Sequence, residues 1–128
     1  MISIKFQHVL ATSRPKFLIL TFCCLSLVFA TVVSENISIN YLHVALVCIG
    51  ALAAHISVNM LNEYQDFTSG LDLQTERTAF SGGSGTLPMK PELATLVQRV
   101  AIGSLVLTIL IGFYLLLVSG GWSLFLIS

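Results

Sequence analysis

The sequence predicts an all-α membrane protein, because apolar residues dominate it and charges are sparse. Of its 128 residues, 55% are hydrophobic and 9% are charged, with a mean hydropathy of +0.92, whereas soluble domains carry about 25% charge. Three apolar stretches, residues 17–34, 41–58 and 100–119, each approach the roughly 20 residues that a helix needs to cross a bilayer. We therefore predict a bundle of transmembrane helices with three full spans.

The apolar stretches differ in the ionisable residues that they contain. The first and third contain no charged residue, and the second contains only His43 and His55. A fourth apolar run starts at Trp122 but has seven residues before the chain stops at Ser128, too few to span a bilayer. We treat residues 1–128 as one transmembrane domain that includes the start of a fourth span.

Positive residues set the predicted orientation of the helices. Lys5, Arg14 and Lys16 precede the first span, and Arg77, Lys90 and Arg99 lie in or just beyond the loop after the second, whereas residues 35–40 contain no Lys or Arg. Since Lys and Arg in short loops favour the cytoplasmic side, we place the N-terminus and the loop 67–91 in the cytoplasm. This predicts an integral protein of the inner (plasma) membrane.

Two other interpretations of the sequence are disfavoured. The first apolar run is longer than the usual core of a signal peptide, and Ala30-Thr31-Val32 is a poor cleavage site. The formal net charge is zero and no basic stretch alternates with aromatic residues, so nothing indicates nucleic-acid binding.

The second helix is predicted from about Ile39 to near Asp66, and its polar residues share one face. At about 100° per residue, this face contains His55, Asn59, Asn62, Glu63 and Asp66. Ionisable side chains at a bilayer edge are costly, which makes the end of this face a candidate functional site. We interpret His55 as an interior helix residue with a local hydrogen bond.

The residue types at this site favour magnesium and a phosphate-bearing substrate. Carboxylates with neighbouring Asn amides suit Mg²⁺, which commonly takes one or two protein carboxylates, several waters and a substrate phosphate. This suggests a diphosphate. Arg77 offers a forked phosphate donor, and backbone amides of the glycine-rich residues 81–85 could approach an anion. The spacing after Asp66 does not fit a calcium-binding EF-hand.

These residues resemble a known family. Residues 62–72 read Asn-Glu-Tyr-Gln-Asp-Phe-Thr-Ser-Gly-Leu-Asp and are followed by Arg77 and Phe-Ser-Gly-Gly-Ser-Gly at 80–85. This segment resembles the first aspartate-rich motif and following loop of the UbiA superfamily of intramembrane prenyltransferases. Arg14-Pro15 resembles the Arg-Pro entry to that family's first helix. Glu63 and Asp72 make the motif similar to the menaquinone-branch enzymes that prenylate dihydroxynaphthoate.

The resemblance implies a helix bundle around a lipid-accessible cavity and a role for each residue of the motif. In this family Mg²⁺ joins two acidic motifs to the diphosphate of a polyprenyl donor, and an aromatic acceptor attacks the donor. By resemblance, Asn62 and Asp66 are the primary catalytic ligands, Glu63 and Asp72 are further metal ligands, and Asn59 and Arg77 bind the substrate.

The chain departs from the family by lacking a second acidic motif. After Asp72, only Glu76 and Glu92 carry carboxylates, and they are isolated. We expect a chain truncated before the second motif, which is inactive alone and needs another polypeptide to supply a C-terminal half. The alternative is a small non-enzymatic membrane protein, either an assembly partner or an ion-binding module.

Overall fold

The structure, a computed structural model, describes residues 2–74 and 83–120. Its helices are α1 (Ile2–Thr12), α2 (Leu18–Ser34), α3 (Tyr41–Thr68), α4 (Leu71–Gln74), α5 (Thr86–Met89) and α6 (Ala94–Val118). The described part of the chain contains no strand. Three segments are long and apolar enough to cross a membrane: Pro15–Ser34, Tyr41–Thr68 and Pro91–Val118. The predicted all-α membrane fold with three spans is therefore confirmed, whereas the fourth apolar run lies outside the described residues.

Short turns built on proline start two of the spans. α2 follows a single 3-10 turn, Pro15–Phe17, and α6 follows another, Pro91–Leu93. Proline suits the first position of a helix, because the N–H that it lacks would have no helical partner there and its fixed φ is already helical. At the far end of α2, Asn36 adopts a left-handed φ of 52°, a conformation that asparagine tolerates better than most residues.

The ends of α3 are set by local signals in the sequence. Asn40 caps the helix, because its Oδ1 accepts hydrogen bonds from the backbone N–H groups of Leu42 (3.0 Å) and His43 (3.3 Å). At the other end, Gly70 has a φ of 77°, and such a left-handed glycine commonly terminates a helix. The observed helix begins and ends within two residues of the predicted bounds.

α3 packs most extensively on α6, and small residues allow the close approach. A Cβ added to Gly50 would lie 3.3 Å from Cγ2 of Ile111. The Thr108 hydroxyl donates to the Ser104 carbonyl at 2.9 Å and lies 3.4 Å from the Gly50 carbonyl. Small residues are typical of helix contacts in membranes, where lipid is as apolar as the side chains and close packing favours association.

The buried apolar core lies at one end of the bundle. Its members are Val9, Met60, Leu87, Leu93, Val97 and Ala101. They come from α1, the last turns of α3, α5, the 3-10 turn Pro91–Leu93 and the start of α6. We call this region, formed by residues 9–14, 59–72 and 83–97, the polar end, because the polar face of α3 ends there. The opposite half of the spans exposes large apolar side chains, as a lipid-facing surface does.

Helix α1 was not predicted from the sequence. Its 11 residues are far too few to span a bilayer, and Lys5, Gln7 and His8 interrupt its apolar residues. In the structure α1 lies against α3, α5 and α6, and its Val9 enters the core. Tertiary packing therefore determines the position of α1, and a local pattern of sequence does not predict such packing.

Candidate functional site

Glu63 is the most deeply buried acidic group described at the polar end. Its side chain has no exposed surface. The backbone N–H of Ser84 donates to both carboxylate oxygens, at 2.8 Å to Oε1 and 2.9 Å to Oε2, and the Ser84 hydroxyl donates to Oε1. Nε and Nη2 of Arg14 each lie 3.4 Å from Oε2. A carboxylate is costly to bury unless it is paired and hydrogen-bonded, and here Arg14 and Ser84 meet both conditions.

The loop that carries Ser84 passes beside a second carboxylate. Gly83 has a φ of 71°, and a Cβ built on it would lie 3.1 Å from Oδ1 of Asp72 and 3.3 Å from Oε2 of Glu63. Asp72 is also buried, with 6% exposure. Glycine is therefore required at this position both for its backbone conformation and for the space between the two carboxylates.

Ser84 and Thr86 continue the polar contacts into α5. The Thr86 N–H donates to Oγ of Ser84 at 3.1 Å, and the two hydroxyl oxygens lie 2.8 Å apart. The next residue, Leu87, is fully buried in the apolar core. The loop is thus fixed by a polar contact at Glu63 and by an apolar anchor at Leu87.

The corner between α1 and α2 is attached to the same face of α3. Nδ2 of Asn59 donates to the Ser13 carbonyl at 2.9 Å, one turn before Glu63 meets Arg14. Arg14 adopts a left-handed conformation, with φ of 51° and ψ of 65°. For a residue other than glycine this costs about 1–2 kcal/mol, and the contacts of Ser13 and Arg14 with α3 help to offset that cost.

Asn62 and Asp66 have a different environment from Glu63. Asn62 is exposed and Asp66 is half-buried, one helical turn later. Across residues 2–74 and 83–120, neither side chain makes a hydrogen bond, so their oxygens are open to a ligand. Arg77 lies outside the described residues. The structure brings Glu63 and Asp72 together around Gly83 and leaves Asn62 and Asp66 open. The ligand roles predicted from the sequence stay predictions for all six site residues: Asn59, Asn62, Glu63, Asp66, Asp72 and Arg77.

The donor set bears on the predicted magnesium site. No group of three or more His, Cys, Asp or Glu side chains within the described ranges is arranged to hold a metal ion. Magnesium, however, commonly takes only one or two protein carboxylates, with waters and phosphate completing the shell. The open carboxylate of Asp66 and the neighbouring amide of Asn62 fit one side of such a site.

A cleft of about 430 Å³ lies between α2 and α3. It is lined by Leu20, Thr21, Cys24, Ala51, Ala54, His55, Val58 and Asn59. Nδ1 of His55 lies 2.8 Å from the Thr21 hydroxyl, whereas its buried Nε2 has no hydrogen-bond partner among the described residues. The contact with Thr21 agrees with the interpretation of His55 as an interior residue. Because Asn59 borders the cleft and also contacts Ser13, the cleft reaches the polar end.

The sequence contained the residues of this network but not their pairings. Arg14 and Ser84 both lie in segments that the sequence analysis noted, yet they are 49 and 21 residues from Glu63 along the chain. Helical periodicity relates only residues within a few turns of one another. The carbonyl of Ser13, which Asn59 contacts, carries no sequence signal because every residue has one.

Comparisons with models of protein families, with curated proteins and with solved structures found no match to this chain. The likeness to UbiA-type enzymes therefore depends on the chain's own motif residues.

Proposed function

We propose that this chain is the N-terminal part of a UbiA-type prenyltransferase, which transfers a polyprenyl group from its diphosphate to an aromatic acceptor. Dihydroxynaphthoate, the acceptor of the menaquinone branch of quinone biosynthesis, is the acceptor that the motif favours. The observation that carries the proposal is the meeting of two buried carboxylates, Glu63 and Asp72, with the glycine-rich loop at Gly83. Such groups at the end of a membrane span are expensive, and a functional site explains their presence.

In this proposal, several residues of the acidic motif and the loop after it bind the diphosphate. Asn62 and Asp66 present open oxygens on the last turns of α3 and would hold Mg²⁺ together with the diphosphate. Asp72 adds charge beside Gly83. Arg77, which lies outside the described residues and is assigned to the substrate by the motif resemblance alone, would offer forked donors to the phosphates. When bound, Mg²⁺ neutralises charge on the leaving diphosphate, which gives the allylic carbon cationic character that an aromatic acceptor can attack.

The α2–α3 cleft supports a polyprenyl substrate. Most of its lining side chains are apolar, and it leads from Asn59 into the span of the helices. An isoprenoid tail matches this apolar lining and would lie in the cleft, within the bilayer, while the diphosphate lies at the polar end. Asn59 stands between the two and contributes to substrate binding.

The charges also support an orientation with the polar end in the cytoplasm. Lys5, Arg14, Lys16, Lys90 and Arg99 all belong to elements that meet at this end. The connection between α2 and α3, at the opposite end, has no Lys or Arg. Under the positive-inside rule, the proposed site of an inner-membrane protein opens to the cytoplasm, where soluble substrates are made.

The proposed reaction needs a second acidic motif. Asn62, Asp66 and Asp72 lie in one acidic motif, and the sequence after Asp72 contains no second motif of this kind. A diphosphate held from one side only is a poor leaving group, since charge on its far oxygens is not neutralised. We therefore expect activity only when a C-terminal half supplies the second acidic motif.

Co-expression tests this function directly. The chain is produced in membranes with the C-terminal half of a menaquinone-branch enzyme, and the membranes are assayed with radiolabelled polyprenyl diphosphate, dihydroxynaphthoate and Mg²⁺. We expect prenylated product from the pair and none from either half alone. Product from the chain alone would remove the need for a partner. Absence of product from the pair, with both halves present in the membrane, would reject the prenyltransferase and favour the non-enzymatic alternative.

A further inference from the structure

We infer that Glu63 is a positioning residue, which joins the α1–α2 corner and the glycine-rich loop to α3 and does not itself ligate metal. The inference that this positioning serves catalysis rests on the proposed function. The joining of three chain segments by one carboxylate stands on the geometry alone. Arg14, Glu63 and Ser84 belong to segments that are far apart in sequence, and all three segments meet at this carboxylate.

The carboxylate oxygens of Glu63 are already occupied by contacts within the protein. Oε1 accepts from the N–H and the hydroxyl of Ser84, and Oε2 accepts from the same N–H and faces the Arg14 guanidinium. A carboxylate has about four acceptor sites in all. Because Glu63 also has no exposed surface, a metal ion could reach it only after these contacts had broken.

The backbone amide of Ser84 is occupied as well. The sequence suggested that backbone amides of the glycine-rich loop approach a substrate anion. In the structure, the Ser84 N–H already binds an anion, the Glu63 carboxylate. The loop segment at Gly83 and Ser84 is therefore attached to the protein at this point, and its position beside Asp72 follows from that attachment.

The length of the Glu63 side chain also suits a positioning role. Glutamate is longer than aspartate, the other acidic side chain, by one methylene, which corresponds to about 1.5 Å of bond length. The contacts of Glu63 with Ser84 are already at normal hydrogen-bond length. An aspartate on the same backbone would leave the loop and Arg14 without their common acceptor, so the longer side chain suits the joining role.

Thiol labelling in membranes tests the attachment without any assay of activity. Leu87 is fully buried and lies in α5, directly after the attached loop. Leu87→Cys is introduced after Cys23, Cys24 and Cys48 have been changed to Ala, and its labelling by a water-soluble maleimide is timed. We expect Glu63→Gln to accelerate labelling at least tenfold, because an amide NH₂ then faces the donors of Ser84 and Arg14. Glu92→Gln, the same change at an exposed glutamate, should leave the rate unchanged.

Two further variants make the labelling test decisive. Arg14→Gln alone should accelerate labelling by a smaller factor, and Arg14→Gln combined with Glu63→Gln should be no faster than Glu63→Gln alone, because both act on one contact. If Glu63→Gln does not accumulate in membranes, Ser84→Ala removes the hydroxyl donor alone and should accelerate labelling several-fold. Labelling of Glu63→Gln, or of Ser84→Ala in its place, at the rate of Glu92→Gln would overturn the inference.

The magnesium dependence of the co-expressed pair separates positioning from ligation. A lost metal ligand raises the Mg²⁺ concentration at half-maximal rate, so Asp66→Asn should raise it at least tenfold in any residual activity. Glu63→Gln should lower kcat and leave that concentration within twofold of the parent. A tenfold increase in Glu63→Gln would make Glu63 a ligand and overturn the inference. If the parent pair has no activity, the proposed function fails, whereas the labelling result still decides whether Glu63 holds the loop.

Discussion

The polar end and the opposite half of the spans are held together in different ways. At the polar end, hydrogen bonds join residues 21, 46 and 49 positions apart in sequence around an apolar cluster. In the opposite half, α3 and α6 are held together by close packing. Gly50 lies against Ile111, and the ring of His43 is edge-on to that of Tyr114, with ring centroids 6.2 Å apart. Large side chains there are exposed, including Leu110 at 61%.

This difference has a physical origin. In the apolar part of a bilayer, lipid competes equally well for apolar side chains, so contacts between spans depend on close approach. At the membrane edge, water makes apolar burial favourable and buried charges costly, so partners must be specific. At the polar end, a substitution that removes a charged or hydrogen-bonding partner should therefore have a large effect on activity or stability. In the opposite half, a substitution that changes the packing between helices should have a moderate effect on stability.

The largest expected effect is on activity at the polar end. Asp66→Asn should reduce product formation by the co-expressed pair at least about 100-fold, because it removes a charged oxygen ligand from a site with few protein ligands. The matched change at the other end is Glu35→Gln, an exposed carboxylate between α2 and α3, which should leave the rate within twofold. Product assays on membranes with equal amounts of each variant make this measurement. Equal rates for the two variants would exclude Asp66 from the site.

The next effect is on stability at the loop. Gly83→Ala should lower the free energy of unfolding in detergent by about 2–3 kcal/mol, since the φ of 71° strains alanine and its Cβ would crowd Asp72 and Glu63.

Two glycines provide controls for that measurement. Gly120 has a φ of 67° but nothing within 4 Å of its Cβ position, so Gly120→Ala reports strain alone and should cost about 1 kcal/mol. Gly103 lies in α6 with open space and an ordinary φ, so Gly103→Ala should stabilise by up to about 1 kcal/mol. A cost for Gly83→Ala no larger than that for Gly120→Ala would mean that the carboxylates do not confine the loop.

In the opposite half, the expected effect comes from changing the close packing of α3 on α6. Gly50→Leu should lower the unfolding free energy by about 1–3 kcal/mol, because the new side chain would force α3 away from Ile111. Gly112 has no atom within 4 Å of its Cβ position, so Gly112→Leu should be nearly neutral. Similar unfolding curves for both variants would show that α3 and α6 do not rely on close approach at Gly50.

The smallest effect is expected at the contact between α2 and α3. Thr21→Val leaves Nδ1 of His55 without its partner and should cost about 0.6 kcal/mol, the typical value of a hydrogen bond between membrane helices. Thr31→Val is the matched control, because the Thr31 hydroxyl bonds only to the Leu27 carbonyl of its own helix. A cost in Thr21→Val equal to that of the control would mean that this hydrogen bond does not stabilise the α2–α3 contact.

The sequence predicted the fold well wherever a local signal determines structure. The three spans follow from apolar length, and α3 begins where Asn40 caps it and ends where Gly70 turns left-handed. The polar face of α3 was predicted as a unit, but its members differ. Asn62 is exposed, whereas its neighbour Glu63 is fully buried. That difference arises from Arg14 and Ser84, whose arrival depends on the tertiary fold.

The joining of three segments at Glu63 has a consequence for biosynthesis. The ribosome makes α3 before it makes Ser84, which lies 21 residues later. At a synthesis rate of about 5–20 residues per second, Ser84 is added roughly 1–4 s after Glu63. During this interval Arg14 is the only one of its two observed partners that has been made. Pairing with Arg14 can therefore neutralise the charge of the Glu63 carboxylate in the nascent α2–α3 hairpin, at the membrane surface, until the glycine-rich loop has been made.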